Sequence, residues 1–415
     1  MNFVSSFDGY PRGHRQTKKI EIGLLVAGLA TFVLLYNTQA ILPYFTRDLR
    51  ISPSQSALSV SVATAGLAVG LIAAAPVSER IGRVALIRFS LLSASALGLV
   101  SAFVTDWPTF LILRFVMGVL LAGLPATAAV YLKEEIHPDY ATAATGIYIF
   151  GTTLGGLSAR LITSGVVSLH ERLDLGAPLG LDAAHFALFV SALAASACAV
   201  GAWLLLPQSR GFAPHPAHPR QLLRDFAKVF TDPVLVGLYV LAFFGMGAFV
   251  GTFNVLGFRL EAAPYGLSVA VVGLLYLAYP VAGFVGARAA RLANRYSMRA
   301  VIVFGPLTAL VGVGLLATSP LAVIVFGLLV LASGFFITHS IASAWVPSRG
   351  AARLGLPAQA ASMYMLFYYM GSSAAGNLTP LAWQDFGWWG VTAMTGAFMG
   401  VSLLIAIGLA KSKKA

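Results

Sequence analysis

The chain has 415 residues, of which 58% are hydrophobic and 10% charged, with a formal net charge of +12 at pH 7. A soluble domain carries about a quarter charged residues, so no soluble core accommodates this composition. The basic residues fall in ones to fours among short loops instead of one patch, which argues against a nucleic-acid partner. Cys198 is the only cysteine and lies in an apolar segment, so no disulfide can form within the chain.

A helix needs about 20 apolar residues to cross the hydrocarbon layer, and its backbone must be hydrogen-bonded internally there. Residues 1–19 are polar, carry Arg12, Arg15, Lys18 and Lys19, and read as a cytoplasmic tail. The first apolar run, Ile22 to Tyr44, is too long for a signal-peptide core and lacks a cleavage site. Five more spans follow at about 56–77, 84–104, 109–131, 143–166 and 184–206. Residues 207–233 are rich in Pro and His, then turn basic and amphipathic through Leu222, Leu223, Phe226 and Phe230, which predicts a linker with an interfacial helix. Six further spans fit at about 234–257, 267–289, 300–318, 320–345, 359–381 and 388–410, before Lys411, Lys413 and Lys414. The expected fold is an all-α integral membrane protein of twelve helices. Two six-helix bundles, 1–206 and 234–415, are joined by the linker 207–233.

The loops on one face hold 21 Lys and Arg, whereas the opposite face has only Arg47, Arg50, Arg172 and Arg259. Positive-inside bias then places both termini in the cytoplasm. Trp107, Trp203, Trp345, Trp383, Trp388 and Trp389 all fall at span ends, as headgroup-level rings do. Arg114 and Arg160 lie within spans four and five. A guanidinium in hydrocarbon costs a few kcal/mol, so each either faces a cavity or partner or snorkels to the interface.

Internal repetition supports duplication. The hinge Ser78-Glu-Arg-Ile-Gly-Arg83 has a degraded twin at Ala290-Arg-Leu-Ala-Asn294-Arg295-Tyr-Ser297, 215 residues on. Gly151-Thr-Thr-Leu-Gly155-Gly156 pairs with Gly371-Ser-Ser-Ala-Ala-Gly376 at an offset of 220, and Tyr36-Asn37 with Phe253-Asn254 at 217. Two six-helix halves around a midplane site form a transporter architecture.

These residues carry a family resemblance. The hinge Ala75-Pro-Val-Ser-Glu79-Arg80-Ile-Gly82-Arg83 resembles the major facilitator superfamily loop motif Gly-x-Leu-Ala-Asp-Arg-x-Gly-Arg-Lys, with Ala75 for the first Gly, Glu79 for Asp and Val84 for the final Lys. Arg114-Phe-Val-Met-Gly118 is similar to the fourth-helix Arg-x-x-Gln-Gly motif, and Gly151 to Gly156 to the helix-five Gly-Pro-x-x-Gly-Gly motif, with Thr152 in the place of proline. The resemblance covers about residues 20–410 and looks closest to bacterial inner-membrane efflux permeases of the drug/proton antiporter type. It implies that Glu79, Arg80, Gly82, Arg83, Asn294 and Arg295 gate the cytoplasmic side. Topology-setting charge is the rival reading of the hinge. For Gly151, Gly155 and Gly156 the alternatives are helices that slide during rocking and simple close packing.

The resemblance also implies that the first, fourth, seventh and tenth helices line the cavity. They supply Asn37, Gln39, Arg114, Phe253, Asn254, Phe335, Phe336 and His339, and neighbouring spans add Tyr279, Tyr364 and Tyr368. This set suits an amphipathic small molecule, and Arg114 would favour an anion. All fifteen carboxylates fall in loops or at span ends. His339 is the titratable group deepest in a span, with an ordinary pKa near 6.5, and is the candidate proton carrier; a neutral histidine hydrogen-bonded between helices is the alternative. The expected function is proton-coupled efflux of small amphipathic molecules by alternating access. The alternatives are a flippase-like lipid carrier and a sugar or nutrient transporter. No enzymatic activity, cofactor or metal is expected, and the protein is expected as a monomer in the bilayer of the inner membrane.

Overall fold

The computed structural model describes residues 7–212 and 219–412. Lys413 and Lys414 lie outside them, as do the side chains of Ala75, Ala290 and Asn294. Ten of its elements are long and apolar enough to cross a membrane. Pro138–Leu173, 36 residues long, is less apolar than these ten but packs along Arg15–Tyr36 and Ala183–Leu205 as a full-length member of the bundle. The last, Pro357–Lys411, is broken at Gly387, whose φ of +59° requires glycine, and so makes two crossings. Twelve membrane helices result, as the apolar runs predict.

In chain order they are α1 (Arg15–Tyr36), α2 (Pro53–Ile81), α3 (Arg83–Ser101), α4 (Trp107–Leu121 continued by Gly123–Glu135), α5 (Pro138–Leu173) and α6 (Ala183–Leu205). After the linker helix Pro219–Val229 come α7 (Pro233–Glu261), α8 (Val269–Leu274, one 3₁₀ turn, then Ala278–Tyr296), α9 (Met298–Val301 and Phe304–Leu316) and α10 (Leu321–Leu354). The arms 357–386 and 388–411 are α11 and α12. Side-chain oxygens start several of them: Ser52 and Gln55 form a capping box on α2, while Asp106, Asp182 and Asp232 cap α4, α6 and α7. Gly82, at φ +92°, makes the turn from α2 to α3.

The duplication is visible in packing. A Cβ at Gly151 of α5 would lie 2.5 Å from the Leu25 carbonyl oxygen of α1, and one at Gly155 would lie 2.8 Å from that of Leu29. In the second half, a Cβ at Gly371 of α11 would lie 2.0 Å from the Phe243 carbonyl oxygen of α7. Both halves therefore press two backbones together where only glycine fits. Gly151 and Gly155 thus lie in close backbone contact with α1 of their own half.

The two ends of the bundle differ. At one end, here the linker end, the Tyr10 amide donates to the Glu135 carbonyl at 2.7 Å, and the Glu135 carboxylate accepts from the Arg210 and Gly211 amides at 2.7 and 2.8 Å. Asp232 pairs with Arg349 at 2.9 Å there. The linker helix buries Phe226 and Val229 and leaves Leu223 exposed. The opposite end carries the turns at residues 50–52, 174–182 and 262–268. The halves meet through α2 with α11 and through α5 with α8, the latter mainly along Val269–Leu274.

Candidate functional site

The site begins with a break in α1. After Tyr36 the chain turns through Asn37 and Thr38 into a 3₁₀ turn, Gln39–Ile41, leaving the last α1 carbonyls without helical partners. Arg114 of α4, only 1% exposed, fills that gap. Its guanidinium donates to the carbonyls of Leu34, Leu35 and Ser59, each at 2.8 Å, to Asn37 Oδ1 at 2.9 Å and to Thr38 Oγ1 at 3.4 Å. All five N–H donors are used. Asn37 in turn donates to Ser191 at 3.0 Å. Arg114 and Asn37 therefore hold the helix break in shape, and Arg114 has no donor left for an anion, contrary to the sequence expectation.

The break aims Gln39 at the other half. Gln39 Nε2 donates to Asn254 Oδ1 at 2.5 Å, and Asn254 Nδ2 donates to the Gly376 carbonyl at 2.9 Å. Behind it, Gln39 Oε1 accepts from Arg160 Nε at 2.7 Å, and Arg160 also donates to the Gly156 carbonyl. Gly156 is small enough for this: a Cβ there would lie 3.3 Å from an Arg160 nitrogen. Arg160 is 2% exposed and sits among three tyrosine rings, Tyr36 at 4.6 Å, Tyr279 at 4.8 Å and Tyr276 at 4.9 Å from the ring centroids. The cage spans both halves and settles how Arg160 lives in the membrane: it is partnered, and does not snorkel.

From that cage an aromatic wall runs through the second half. Phe253 stands 4.8 Å from Tyr279 and 5.1 Å from Phe249, and Phe249 stacks on Phe335 at 4.3 Å. Phe335 lies parallel to the His339 imidazole at 5.8 Å, with Phe336 at 5.2 Å, and Tyr368 stands 4.9 Å from His339. His339 Nδ1 shares a 2.9 Å hydrogen bond with the Tyr364 hydroxyl. Pairs spaced i, i+4 build the wall from α7, α10 and α11, since such residues share one helix face. Phe253, Tyr279, Phe335 and Tyr364 are buried, whereas Phe336, His339 and Tyr368 are partly exposed. The predicted aromatic set, His339, Gln39 and Asn254 thus form one continuous arrangement, joined by Tyr36 and Arg160. Phe249 and Tyr276 were not anticipated, although each shares a helix face with a residue that was.

The hinge residues form a cluster at the linker end. Arg83 is buried and donates to Glu79 at 2.7 Å, Ser78 at 2.7 Å and Glu134 of α4 at 3.0 Å, with the Phe212 ring beneath it at 5.3 Å. Arg80 is exposed. Among the described residues the partners of Arg83 belong to the first half and the linker, so in this state the cluster braces its own half. The degraded twin is different. Arg288, Arg291 and Arg295 line a cavity of about 590 Å³ at the linker end of α8, with Val285, Ala289 and Leu292. Asn294 has no described side chain.

Residues 24–380 match the family described as Major Facilitator Superfamily. The chain belongs to the major facilitator superfamily. This superfamily member is 38% identical to the inner membrane transport protein YnfM of Escherichia coli K12, over 95% of its own length and 90% of that protein. It is 34% identical to the uncharacterized MFS-type transporter YybF of Bacillus subtilis, with 96% and 95% covered. Among solved structures, a bacterial homolog of the human lysosomal transporter Spinster, inward-facing and unoccupied, superposes with a TM-score of 0.74 at 15% identity, covering 95% of this chain and 96% of that one. The nucleoside transporter NupG superposes at 0.71 with 14% identity, covering 94% and 98%. At those identities the likeness is one of fold. The protein is a multi-pass membrane transporter of small molecules.

Proposed function

We propose that this transporter works by alternating access as a proton-coupled exporter of small amphipathic molecules, with the linker end in the cytoplasm of an inner membrane and with each half, 1–206 and 234–415, moving as a body. The wedge between α5 and α8 carries the reading. At the end away from the linker, a Cβ on Gly273 of α8 would come within 2.1 Å of the Ser164 hydroxyl oxygen of α5. About five turns toward the linker on the same face of α5, a Cβ on Gly146 would meet no atom within 4 Å. Closed contact at one end and open space at the other fit a pocket facing the cytoplasm.

Proton coupling rests on His339. Its half-buried imidazole borders the aromatic wall, hydrogen-bonds Tyr364 and is faced by Phe335 and Tyr368, so a proton gained or lost there alters the polarity of the pocket wall. Positive loops at the linker end support the orientation. Inverted vesicles supplied with a proton gradient and a panel of fluorescent amphipathic dyes, sugars and antimicrobials test it. The expected result is gradient-dependent dye accumulation that His339→Gln abolishes while dye binding persists. Undiminished gradient-driven flux in His339→Gln removes the histidine from coupling, and depletion of solute from such vesicles reverses the direction.

A further inference from the structure

The membrane interior holds a positive charge with no acid beside it. Among the described residues no carboxylate oxygen lies within ion-pair distance of Arg160; its acceptors are a carboxamide and a backbone carbonyl, both neutral. Two buried hydroxyls, one in the cage and one beside Asn254, are unsatisfied. Tyr279, 5% exposed, has a hydroxyl with no hydrogen-bond partner, and so does Ser61, whose oxygen stands beside Asn254 at Gly376. Buried polar groups are ordinarily paired, so these two hydroxyls are open to a hydrogen bond from a solute beside the guanidinium and the Gln39–Asn254 pair. Gln39 and Tyr36 belong to the first half, whereas Asn254, Tyr276 and Tyr279 belong to the second. A carboxylate entering the pocket from the linker end can take the place of the Gln39 carboxamide on the guanidinium, which frees Gln39 from Arg160, and parting of the halves at this end then removes two of the three ring faces.

A second observation is independent of the first. At the linker end of α8, Arg288, Arg291 and Arg295 border the cavity of about 590 Å³, and no ion pair joins them among the described residues. Arg288 lies 3.8 Å over the Phe284 ring, which adds an apolar surface to the charge. Three arginines side by side at this end of α8 raise the local concentration of anions there.

We propose that the transported class is small amphipathic carboxylates, with Arg160 docking the carboxylate, the aromatic wall holding the apolar body, and the α8 arginines collecting the anion at the mouth. This rests on the transporter reading above and names its substrate class. A guanidinium accepts a carboxylate as a two-pronged partner, stronger than the single carboxamide oxygen it now holds. The aromatic wall gives an apolar body its contact surface.

The test uses three probes with one ring system and three charges: 1-naphthaleneacetate, 1-naphthaleneacetamide and 2-(1-naphthyl)ethylamine. Binding to the full-length transporter is followed by thermal stabilisation and by counterflow in phosphatidylcholine vesicles. The carboxylate is expected to bind about tenfold more tightly than the amide and the amine. Arg160→Gln should remove that preference, Arg160→Lys should restore part of it, and Tyr279→Phe should weaken it. Exchange of Arg288, Arg291 and Arg295 together for Gln should raise the half-saturating carboxylate concentration several-fold and flatten its salt dependence. Preference for the amine, or a carboxylate preference that survives Arg160→Gln, overturns the anion class and leaves alternating access standing. Failure of all three probes to bind overturns the amphipathic reading with it. Stabilisation by phosphatidylglycerol vesicles without any response to soluble carboxylate assigns the arginines to lipid headgroups and overturns the proposal. If Arg160→Gln does not fold, the wild-type preference and Tyr279→Phe decide.

Discussion

Gln39 and Asn254 stand 215 residues apart and share a 2.5 Å hydrogen bond across the boundary between the two halves. Each amide is used at both ends, Gln39 also by Arg160 and Asn254 also by the Gly376 carbonyl. A relay of neutral groups and one cation thus ties α5 to α11. The Gln39–Asn254 hydrogen bond is the link between halves in that relay where the closed end should give way first.

Removing that link should shift the molecule toward the state open at the end away from the linker. A net hydrogen bond of about 1 kcal/mol corresponds to roughly a five-fold change in population. In Asn254→Ala, a cysteine placed at Ser61 should react with a membrane-impermeant maleimide about five-fold faster than in the parent, in a background where Cys198 is replaced. No change in rate would show that the relay does not hold that end closed.

Bulk added on opposite ends of α5 and α8 should act in opposite directions. Gly273→Leu collides with Ser164 and is expected to keep the halves apart at that end. Gly146→Leu projects into open space and is expected to hinder closure at the linker end. Each should reduce transport about tenfold or more, with maleimide labelling at Ser61 raised by Gly273→Leu and lowered by Gly146→Leu. The same labelling response from both would contradict the wedge.

Arg114 should be a stability residue. Arg114→Leu leaves the α1 carbonyls of Leu34 and Leu35 and the Ser59 carbonyl unpaired in a dry interior, at a cost of about 3 kcal/mol or more. Arg114→Lys offers three donors for five acceptors and should recover only part. The unfolding midpoint of purified protein should fall by about 3 °C or more in Arg114→Leu. A stable, well-expressed Arg114→Leu with impaired anion binding would return this arginine to the pocket.

Breaking the hinge cluster should weaken the first half without opening it toward the second. Arg83→Gln leaves Glu134 without its ion-pair partner, so loss of about 1–3 kcal/mol is expected. Glu79 is the more exposed partner of Arg83, and Glu79→Gln should cost less. Thermal unfolding of the two variants side by side checks the order.

Much of this was legible in residue order because the membrane simplifies the problem. Twelve apolar runs identify the fold with no knowledge of packing, and the repeats at nearly constant offset, with the hinge, point to two halves. Position along a helix also brought Phe253, Tyr279, Phe335, His339 and Tyr368 to the same region. What residue order did not reveal was which intramembrane arginine is committed. Arg114 and Arg160 look alike as isolated cations in spans, and only the break after Tyr36 shows that one caps a helix end while the other looks across the halves. Phe249 and Tyr276 were hidden for a different reason: among many aromatic residues in apolar helices, the face that meets a partner is settled by neighbouring helices.

The contact of Gly151 and Gly155 with the α1 backbone has a mechanical consequence. Helices that touch main chain to main chain resist rotating or slipping past one another, so Tyr36, Gln39 and Arg160 should travel together as one preassembled jaw. Gly371 against Phe243 does the same for the jaw that carries Phe253, Asn254 and Tyr368. A cargo should then meet two rigid surfaces, and its recognition should be decided by how well it lets them shut.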